Sequence, residues 1–413
     1  MENRPGYSRN GVGLAHPLQW PLTEGANETR GPGMTNSIAV REVVGHRERR
    51  LFLRLPWRLY CADPHWVPPL VSTIERTLDA ERNPFFEHAE MRLYLAWRDG
   101  RPVGRIAAIV DGLYNDYHHE KTGFWGFFET EHDPDVARAL LDQAADDLRE
   151  HGMAEMRGPM SPSINGECGL LIEGFDDSPY VLMPYNPPYY AEFVEQAGLQ
   201  RLKDFYAYFI DPGQLTPDLA TRHRLERLAQ AICKRHPELA VRPLDMRHFE
   251  AEVVTLGKLF NEARRDNWGF VPASDAELRL MARDMKPIVD PQIALIAEVA
   301  GEPVGCAFAL PDAGPILKRM NGRLFPFGWL HLLWGKRSIR RVRIIGYGAL
   351  PAYRHMGVTA RLMAELMHNT QCHGYEAAEL GWVCETNAAS VSTIEHAVHP
   401  RLYKRYRVYT KPL

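Results

Sequence analysis

The chain has 413 residues, of which 45% are hydrophobic and 24% are charged. This balance is typical of a folded globular protein and excludes a fibrous or wholly disordered one. Its 49 basic and 52 acidic side chains leave a formal charge of −3, so the overall charge gives no reason to expect nucleic acid as a partner. The length predicts two or three domains.

The cysteines and the apolar runs narrow the class further. Six cysteines are scattered along the chain, and none forms a Cys-x-x-Cys pair. This spacing predicts neither a metal site nor a disulfide framework, and it suits a reducing cytoplasm. The longest strongly apolar run, residues 325–334, is shorter than the about 20 residues that a membrane-spanning helix needs. We therefore expect a soluble cytoplasmic protein.

The first elements follow a segment without periodicity. Residues 1–33 mix proline, glycine, asparagine and arginine, which predicts a disordered tail. From residue 34 the chain alternates strand and helix patterns. The predicted elements are a strand at 38–43, a helix up to 59, strands at 91–97, 106–110 and 123–129, a helix at 134–151, a strand at 153–159, a short helix, and a closing strand at 201–209.

The same series then occurs a second time. Residues 99–107 (DGRPVGRIA) resemble residues 300–308 (AGEPVGCAF), and each segment joins two apolar runs. The second copy continues with strands at 342–350 and 375–383, a helix at 355–373 and a closing strand at 401–409. We interpret the series as a tandem duplication, with domains at 34–210 and 218–413 and a linker at 211–217. This element order predicts an α/β fold with helices on both faces of mixed sheets.

The most specific local motif is the turn that leads from the strand at 342–350 into the long helix. It reads Arg354-x-x-Gly357-x-Thr359. Glycine lets backbone amides approach a ligand closely, and the first N–H groups of a helix have no intrahelical acceptor. Together with the helix dipole these groups form an anion site, and a pyrophosphate is the ligand that we expect there.

The element order and this turn resemble the GNAT superfamily of acyl-CoA-dependent N-acyltransferases, whose acyl-CoA loop has the pattern Arg/Gln-x-x-Gly-x-Gly/Ala. The sequence departs from that pattern only at Thr359. The resemblance implies two tandem GNAT-like domains, each a mixed, mostly antiparallel sheet flanked by helices. It implies acetyl-CoA or another acyl-CoA as co-substrate, no metal, and the amine of a small molecule or peptide as acceptor. The cofactor-binding residues that it implies are Ala349, Leu350, Arg354, His355, Met356, Gly357, Val358, Thr359, Ala360 and Asn387.

Only the second copy carries this loop. The first copy has the acidic segment 126–135 in its place, without a glycine turn, and the carboxylates there would repel a pyrophosphate. We therefore expect residues 34–210 to form a degenerate GNAT-like domain and residues 218–413 to bind the acyl-CoA.

The sequence indicates the proton donor and acceptor of the reaction less clearly than it indicates the cofactor loop. An amine with a pKa of about 10 is protonated at neutral pH, so acyl transfer needs a proton acceptor. The family commonly takes its acid from a tyrosine on the helix after Asn387, where this sequence has Ile394. The remaining catalytic candidates are Tyr347, Glu379, Glu385 and Tyr403, each of which could instead be an ordinary strand or core residue. Asn387 is either a helix cap alone or a cap that also contacts the cofactor.

Other segments have unusual compositions that the cofactor loop does not explain. Segments 158–169 and 183–190 are dense in proline, glycine, asparagine and tyrosine, which predicts rigid loops lining an acceptor pocket or the interface between the copies. Residues 323–343 combine an aromatic and aliphatic stretch with cations. This pattern is typical of a packed insertion, or of a weak contact with a membrane surface or an acyl chain.

Three functions are compatible with these patterns. The leading one is an N-acyltransferase that passes the acyl group directly from acyl-CoA to an amine. A non-catalytic acyl-CoA-binding protein fits the missing tyrosine. An aminoacyl-tRNA-dependent transferase of tandem GNAT fold fits the basic run at 336–343, although the net charge and the CoA-type loop speak against it.

Overall fold

The computed structural model describes residues 37–211, 219–325, 328–398 and 400–413. The predicted tail at 1–33 and the predicted linker at 211–217, apart from Asp211, lie outside these residues. The division of the chain into domains at 34–210 and 218–413 therefore stays a prediction.

Strands supply the frame of both copies. The strands of the first copy are β1 (Ala39–Glu42), β2 (Ala89–Arg98), β3 (Arg101–Asp111), β4 (Thr122–Thr130), β5 (Glu155–Gly158), β6 (Met160–Ser161), β7 (Glu167–Cys168), β8 (Leu170–Glu173) and β9 (Gln200–Ile210). The strands of the second copy are β10 (Leu239–Pro243), β11 (Ala294–Val299), β12 (Glu302–Pro311), β13 (Arg341–Ala349), β14 (Ala377–Cys384) and β15 (Arg401–Pro412).

Helices lie between these strands in both copies, five in the first and seven in the second within the described residues. The helices of the first copy are α1 (Gly45–Leu59), α2 (Val71–Thr77), α3 (Gly112–His118), α4 (Pro134–Glu150) and α5 (Tyr189–Gln196). The helices of the second copy are α6 (Leu219–Arg235), α7 (Phe249–Arg264), α8 (Asp275–Met285), α9 (Gly314–Met320), α10 (Gly328–Gly335), α11 (Val358–Cys372) and α12 (Ala388–Val398).

The two copies share one sheet. Its strand order within the described residues is β1-β2-β3-β4-β5-β15-β9-β14-β13-β12-β11-β10, with β8 also paired to β15. All of these pairs are antiparallel except β4 with β5 and β13 with β14. This arrangement confirms the predicted α/β fold of two mixed, mostly antiparallel, helix-flanked halves.

The closing strands are exchanged between the copies. β15 ends the second copy but pairs with β5 of the first, and β9 ends the first copy but pairs with β14 of the second. β9 and β15 also pair with each other along most of their length. Each half of the sheet is therefore completed by a strand from the other half.

A gap opens between the two parallel strands of the second copy. β13 and β14 pair only from Arg341 with Ala377 to Ile344 with Leu380. Beyond that point β13 continues beside β12 as far as Ala349, whereas β14 follows β9, where Val383 pairs with Tyr206. The amide and carbonyl groups on the gap side of β13 are therefore available to a ligand.

Helices cover the sheet of the second copy on both faces. On one face, Val358, Leu362 and Leu366 of α11 pack against Ile344 and other strand residues. On the opposite face, α7 and α8 pack against β11 and β12. α7 lies close to β13 because residue 346 is glycine: a Cβ there would lie 2.0 Å from the Phe260 ring.

α10 belongs to the segment that could be a packed insertion or a membrane contact. Leu324 and Leu332 pack against Ile316, Met320 and Ile339, so part of the segment is a packed insertion. Other apolar side chains of the same segment are exposed. None of the helices in the described ranges combines the length and apolar character that crossing a bilayer requires.

Candidate functional site

The predicted cofactor loop is a tight turn at the N-terminus of α11. Pro351–Met356 forms a 3₁₀ turn, and Gly357 then takes φ +75°, the left-handed conformation that favours glycine. No described side chain caps the first turn of α11. Its first N–H groups and the positive end of the helix dipole therefore form an anion site without a resident carboxylate.

The side chains of this loop divide into buried anchors and exposed polar groups. Met356 and Val358 are buried on the α11 face of the sheet and hold the turn in place. Arg354 and His355 are exposed, and the Arg354 Nε donates to the Ala349 carbonyl at 3.3 Å. Thr359 and Ala360 are partly buried in the first turn of the helix. The loop therefore presents backbone amides together with an arginine and a histidine.

The end of β13 presents its free edge to the gap. The Leu350 N–H donates to the Val304 carbonyl on β12 at 2.8 Å. Because successive amides of an extended strand point to opposite edges, the Ala349 N–H is directed toward the gap. A ligand lying between β13 and β14 can accept from it.

The first copy has the same strand geometry, but its gap is filled. There the Glu131 N–H donates to the Val103 carbonyl, as the Leu350 N–H does to the Val304 carbonyl. The preceding amide, that of Thr130, donates to the Tyr190 hydroxyl at 2.8 Å. Tyr190 in turn donates to the Glu129 carboxylate at 2.8 Å. A buried tyrosine thus takes the place that a ligand would have in the second copy.

The equivalent helix N-terminus of the first copy is also occupied. The Asp133 carboxylate caps α4 by accepting from the Asp135 N–H at 2.9 Å. A pyrophosphate would have to displace this carboxylate against charge repulsion. The filled gap and the capped helix distinguish the first copy from the second, where no described side chain caps α11.

An apolar cavity of about 190 Å³ adjoins the gap in the second copy. It lies between the sheet and the helices α7 and α8, and Arg343, Gly381 and Trp382 line it where β13 and β14 separate. Leu182 and Met281 also line it and are 45% and 37% exposed, so they mark a rim open to the surface. The other apolar lining residues include Phe249, Val253, Leu256, Phe260, Phe308 and Ile345.

The first copy contributes one wall of this cavity. Ile164, Asn165, Gly166 and Cys168 line it. They belong to the proline- and glycine-rich segment 158–169, which was predicted to line an acceptor pocket or the interface between the copies. Asn165 also donates to the Val271 carbonyl of the second copy at 3.1 Å. The segment therefore lies in the cavity wall and at the contact between the copies, and its role in acceptor binding stays a prediction.

Arg264 is a cation in this largely apolar cavity. Its guanidinium lies over the Phe260 ring at 4.6 Å from the centroid. The guanidinium has no hydrogen bond or ion pair with a residue in the described part of the chain, and burial lowers its pKa to about 10. Arg264 therefore remains charged at neutral pH and is available to a polar group of a ligand.

Two of the predicted catalytic residues lie together beside the gap. Glu379 on β14 is fully buried, and the Tyr403 hydroxyl donates to its Oε2. The Nε of Arg343 lies 3.4 Å from Glu379 Oε1, an oxygen that accepts no hydrogen bond from the described residues. Burial raises the pKa of Glu379 to about 7, against the opposing charge of Arg343. A carboxylate with this pKa can take or give a proton near neutral pH.

The other predicted residues have different surroundings. Tyr347 packs on the α11 face, and burial raises its pKa. Glu385 accepts from Arg201 and from the Asp204 N–H, which ties it to β9. The roles of Tyr347 and Glu385 in catalysis stay predictions.

Asn387 caps α12 and also reaches toward the cavity. Its Oδ1 accepts from the Ser390 N–H at 3.1 Å, and its Nδ2 donates at 3.2 Å to Asn267, which lines the cavity. Ile394, at the position where the family commonly has its tyrosine, is buried in the apolar core. Its hydrocarbon side chain has no proton to transfer.

Sequence reasoning missed Arg264, Arg343 and Trp382 as site residues. A signal for Arg264 exists in the spacing of Phe249, Val253, Leu256 and Phe260, which puts an apolar stripe on one side of α7 and ends it on an arginine. Arg343 was expected only as one cation of a basic run. Its burial beside Glu379 depends on strand register, which the local pattern does not contain.

Comparisons with known proteins show the family to which the chain belongs. The model of the Acetyltransferase (GNAT) family matches residues 257–397. A protein named Bacterial ceramide synthase, from Caulobacter vibrioides, is 35% identical over 396 residues, which cover 91% of this chain and 98% of that protein. Protein YghO from Escherichia coli is 32% identical over 390 residues, which cover 92% of this chain and 98% of that protein.

A solved structure shows the same tandem architecture. A tandem GNAT protein from the clavulanic acid biosynthesis pathway has a TM-score of 0.53 at 12% identity, and the match covers 91% of this chain and 98% of that one. At this identity the likeness shows the fold alone. The sequence relatives and the family match support acyl transfer as the general activity. The chain is a member of the GNAT family of acetyltransferases, built from two GNAT-like halves in tandem.

Proposed function

We propose that this chain transfers a long-chain acyl group from acyl-CoA to the primary amine of a long-chain amino alcohol. The observation that carries the proposal is the apolar cavity that opens where β13 and β14 separate. Apolar walls favour hydrocarbon chains, whereas an acetyl group and a small polar amine would leave most of them in contact with water. The name of the relative from Caulobacter vibrioides supports the same chemistry, since a ceramide is an N-acylated long-chain amino alcohol.

The family uses acyl-CoA as co-substrate, and the residues of the second copy suit it. The uncapped N-terminus of α11 and the Arg354 side chain would bind the pyrophosphate. The Ala349 amide would bind the pantetheine at the edge of β13. The thioester would then lie near Arg343 and Trp382, at the entrance of the cavity.

Arg264 would orient the acceptor. A hydroxyl or carbonyl oxygen next to the amine can accept from its guanidinium, while the hydrocarbon chain lies against Phe260 and Val253. A charge-assisted hydrogen bond in an apolar cavity is strong and directional. Arg264 would therefore select amines that carry a neighbouring oxygen over plain alkylamines.

Glu379 is the group that we assign to proton transfer. The amine nitrogen forms a bond to the thioester carbonyl carbon and the carbon–sulfur bond breaks. The ammonium form of the acceptor first loses one proton to solvent. The second proton, which the nitrogen loses as the amide forms, passes to Glu379 through one bridging water and then to the departing sulfur. Glu379 Oε1 lies 3.4 Å from the Nε of Arg343, which lines the cavity, so the proton would pass beside Arg343.

A second candidate function is an acyl-CoA-binding protein without turnover. The buried Ile394, at the place of the family's usual acid, favours it. The two candidates differ in one measurable property, because only an enzyme releases free CoA.

The test is a panel of acyl-CoA esters from acetyl to palmitoyl, each with a long-chain amino alcohol, a plain alkylamine and a small polar amine. We expect free CoA thiol and a new amide, identified by mass spectrometry, with the long esters and the amino alcohol. Binding of the esters without thiol release across the panel would support the second candidate. Turnover confined to acetyl-CoA and small polar amines would contradict the long-chain assignment.

A further inference from the structure

The described surface has a concentration of exposed large apolar side chains at α10. Phe325, Trp329, Leu333 and Trp334 are 74%, 43%, 62% and 75% exposed. We call these four residues the apolar patch. A cluster of this kind is uncommon on a protein that stays in water, and it marks a surface that contacts a partner or a membrane.

The apolar patch is held by the packed side of the same segment. Leu324 and Leu332 contact the core formed by Ile316, Met320 and Ile339. The preceding turn is fixed as well, because Trp57 of α1 donates to the Asn321 side chain at 3.0 Å. The exposed side chains are therefore presented by an anchored element.

Cations flank the apolar patch on both sides along the chain. Arg337 and Arg340 follow α10 and are exposed, although Arg340 lies 3.9 Å from Glu376. Arg323 precedes the patch and lies near Arg54 of α1, whose pKa is lowered by burial and by the charge of Arg323, against an opposing contribution from Glu75. The surroundings of the patch therefore carry an excess of positive charge.

The apolar patch also lies near the wall of the cavity. The Lys336 ammonium, at the end of α10, donates to the Val289 carbonyl at 3.0 Å, and Val289 lines the cavity. The exposed rim residue Met281 belongs to α8, which ends four residues before Val289. Residues 281–289 thus run from the cavity rim to the Lys336 contact at the end of α10, next to the apolar patch.

We infer that the apolar patch inserts into the headgroup region of an anionic phospholipid bilayer. Tryptophan and phenylalanine favour the interface between lipid and water, and flanking arginines favour anionic headgroups. A protein partner would need an apolar face ringed by acidic groups, whereas an anionic bilayer supplies both features at once. This inference is independent of the proposed acyl transfer, since it concerns where the protein binds and not what it does there.

The experiment is flotation of the full chain with vesicles of phosphatidylcholine alone or mixed with phosphatidylglycerol. Leu333→Ser with Trp334→Ser removes two exposed apolar side chains without opening the core. We expect the partition coefficient on mixed vesicles to fall at least about tenfold. Arg337→Gln should lower it about fivefold at low salt and have little effect at high salt.

The matched control is Val44→Ser, since Val44 is 73% exposed and lies at the opposite end of α1 from Trp57. It should bind vesicles as the wild type does. Equal partitioning of the wild type and the double variant, or no vesicle binding at low salt, would overturn the inference. Concentration-dependent self-association that the double variant abolishes, without vesicle binding, would assign the patch to a protein interface instead. Acyl-CoA binding by the double variant, measured separately, keeps this result distinct from the fate of the proposed function.

Discussion

At the scale of single residues, Glu379 is a buried carboxyl whose ionisation is disfavoured in the folded chain. It is buried without full hydrogen bonding, so its proton is held more tightly in the folded chain than in the unfolded chain. The pKa is raised from an ordinary 4.5 to about 7. Ionisation therefore opposes folding as the pH rises between these two values.

We expect this cost to disappear in Glu379→Gln. As the pH rises from 4.5 to 7, the free energy of unfolding of the wild type should fall relative to that of the variant. Above pH 7 the difference should be on the order of 3 kcal/mol. Urea unfolding of both proteins at pH 5 and pH 8 measures this difference. Parallel pH dependence in the two proteins would show that Glu379 ionises as an exposed carboxyl does. If Glu379 is also the proton acceptor, we expect kcat of the wild type to rise as the pH passes about 7, because Glu379 then ionises. This rise should be absent in Glu379→Gln.

The contact that we assign to Arg264 predicts which acceptor amines the protein selects. Arg264→Met keeps the packing against Phe260 but removes the cation. We expect KM for an amino alcohol to rise about 10- to 100-fold, which corresponds to one charge-assisted hydrogen bond, while KM for acyl-CoA stays the same. Arg265→Met is the control, because Arg265 is exposed and lies 3.8 Å from Glu262. An equal effect on plain alkylamines would contradict the assigned contact with a neighbouring oxygen.

The two glycines at the ends of α11 allow a controlled test of the cofactor loop. Gly357 and Gly374 have φ values of +75° and +76°, so alanine at either position carries a similar strain of about 1 kcal/mol or more. Alanine at 357 would also press on Ile232, whose Cδ1 lies 2.9 Å from the new Cβ. We expect Gly357→Ala to weaken acyl-CoA binding at least tenfold in calorimetry and Gly374→Ala to leave it unchanged. Equal affinity in both variants would place the pyrophosphate elsewhere.

At the scale of elements, local pattern predicted most of the strands and helices that shape the site. The helix expected at 355–373 is Val358–Cys372, and the strand expected at 342–350 is Arg341–Ala349. These elements have strong periodicity and end at glycine turns, which are properties of short stretches. The partners of β9 and β15 could not be predicted in this way, because strand exchange depends on which distant edge pairs best.

The side of α7 that lines the cavity can be tested by changing the size of one side chain. Val253 lies on its cavity side, so its size should set the length of chain that fits. Val253→Phe should shift the preferred chain to a shorter one, and Val253→Ala should shift it to a longer one. Rates measured across a series of acyl-CoA esters and a series of amines would show which substrate responds. An unchanged preference in both series would mean that neither chain enters the cavity.

At the scale of the whole molecule, the exchanged strands tie the two copies together. β15 contributes Tyr409 to the core of the first copy, and β9 contributes Tyr208 to the core of the second. The exchange is reinforced by charge, because Arg407 on β15 donates to both carboxylate oxygens of Asp204 on β9, at 2.8 and 3.1 Å. Each copy therefore lacks part of its core when the other is absent.

We expect the halves to be unable to fold alone. A chain ending at residue 211 keeps β5 but loses its neighbour β15, and a chain starting at residue 219 loses β9 beside β14. Each would expose an unpaired strand edge and an apolar face, which favours aggregation. Expressed together, the two halves should restore the sheet and a single cooperative unfolding transition, as in the intact chain. A second half that is monomeric, unfolds cooperatively and binds acyl-CoA by itself would show that β9 is dispensable.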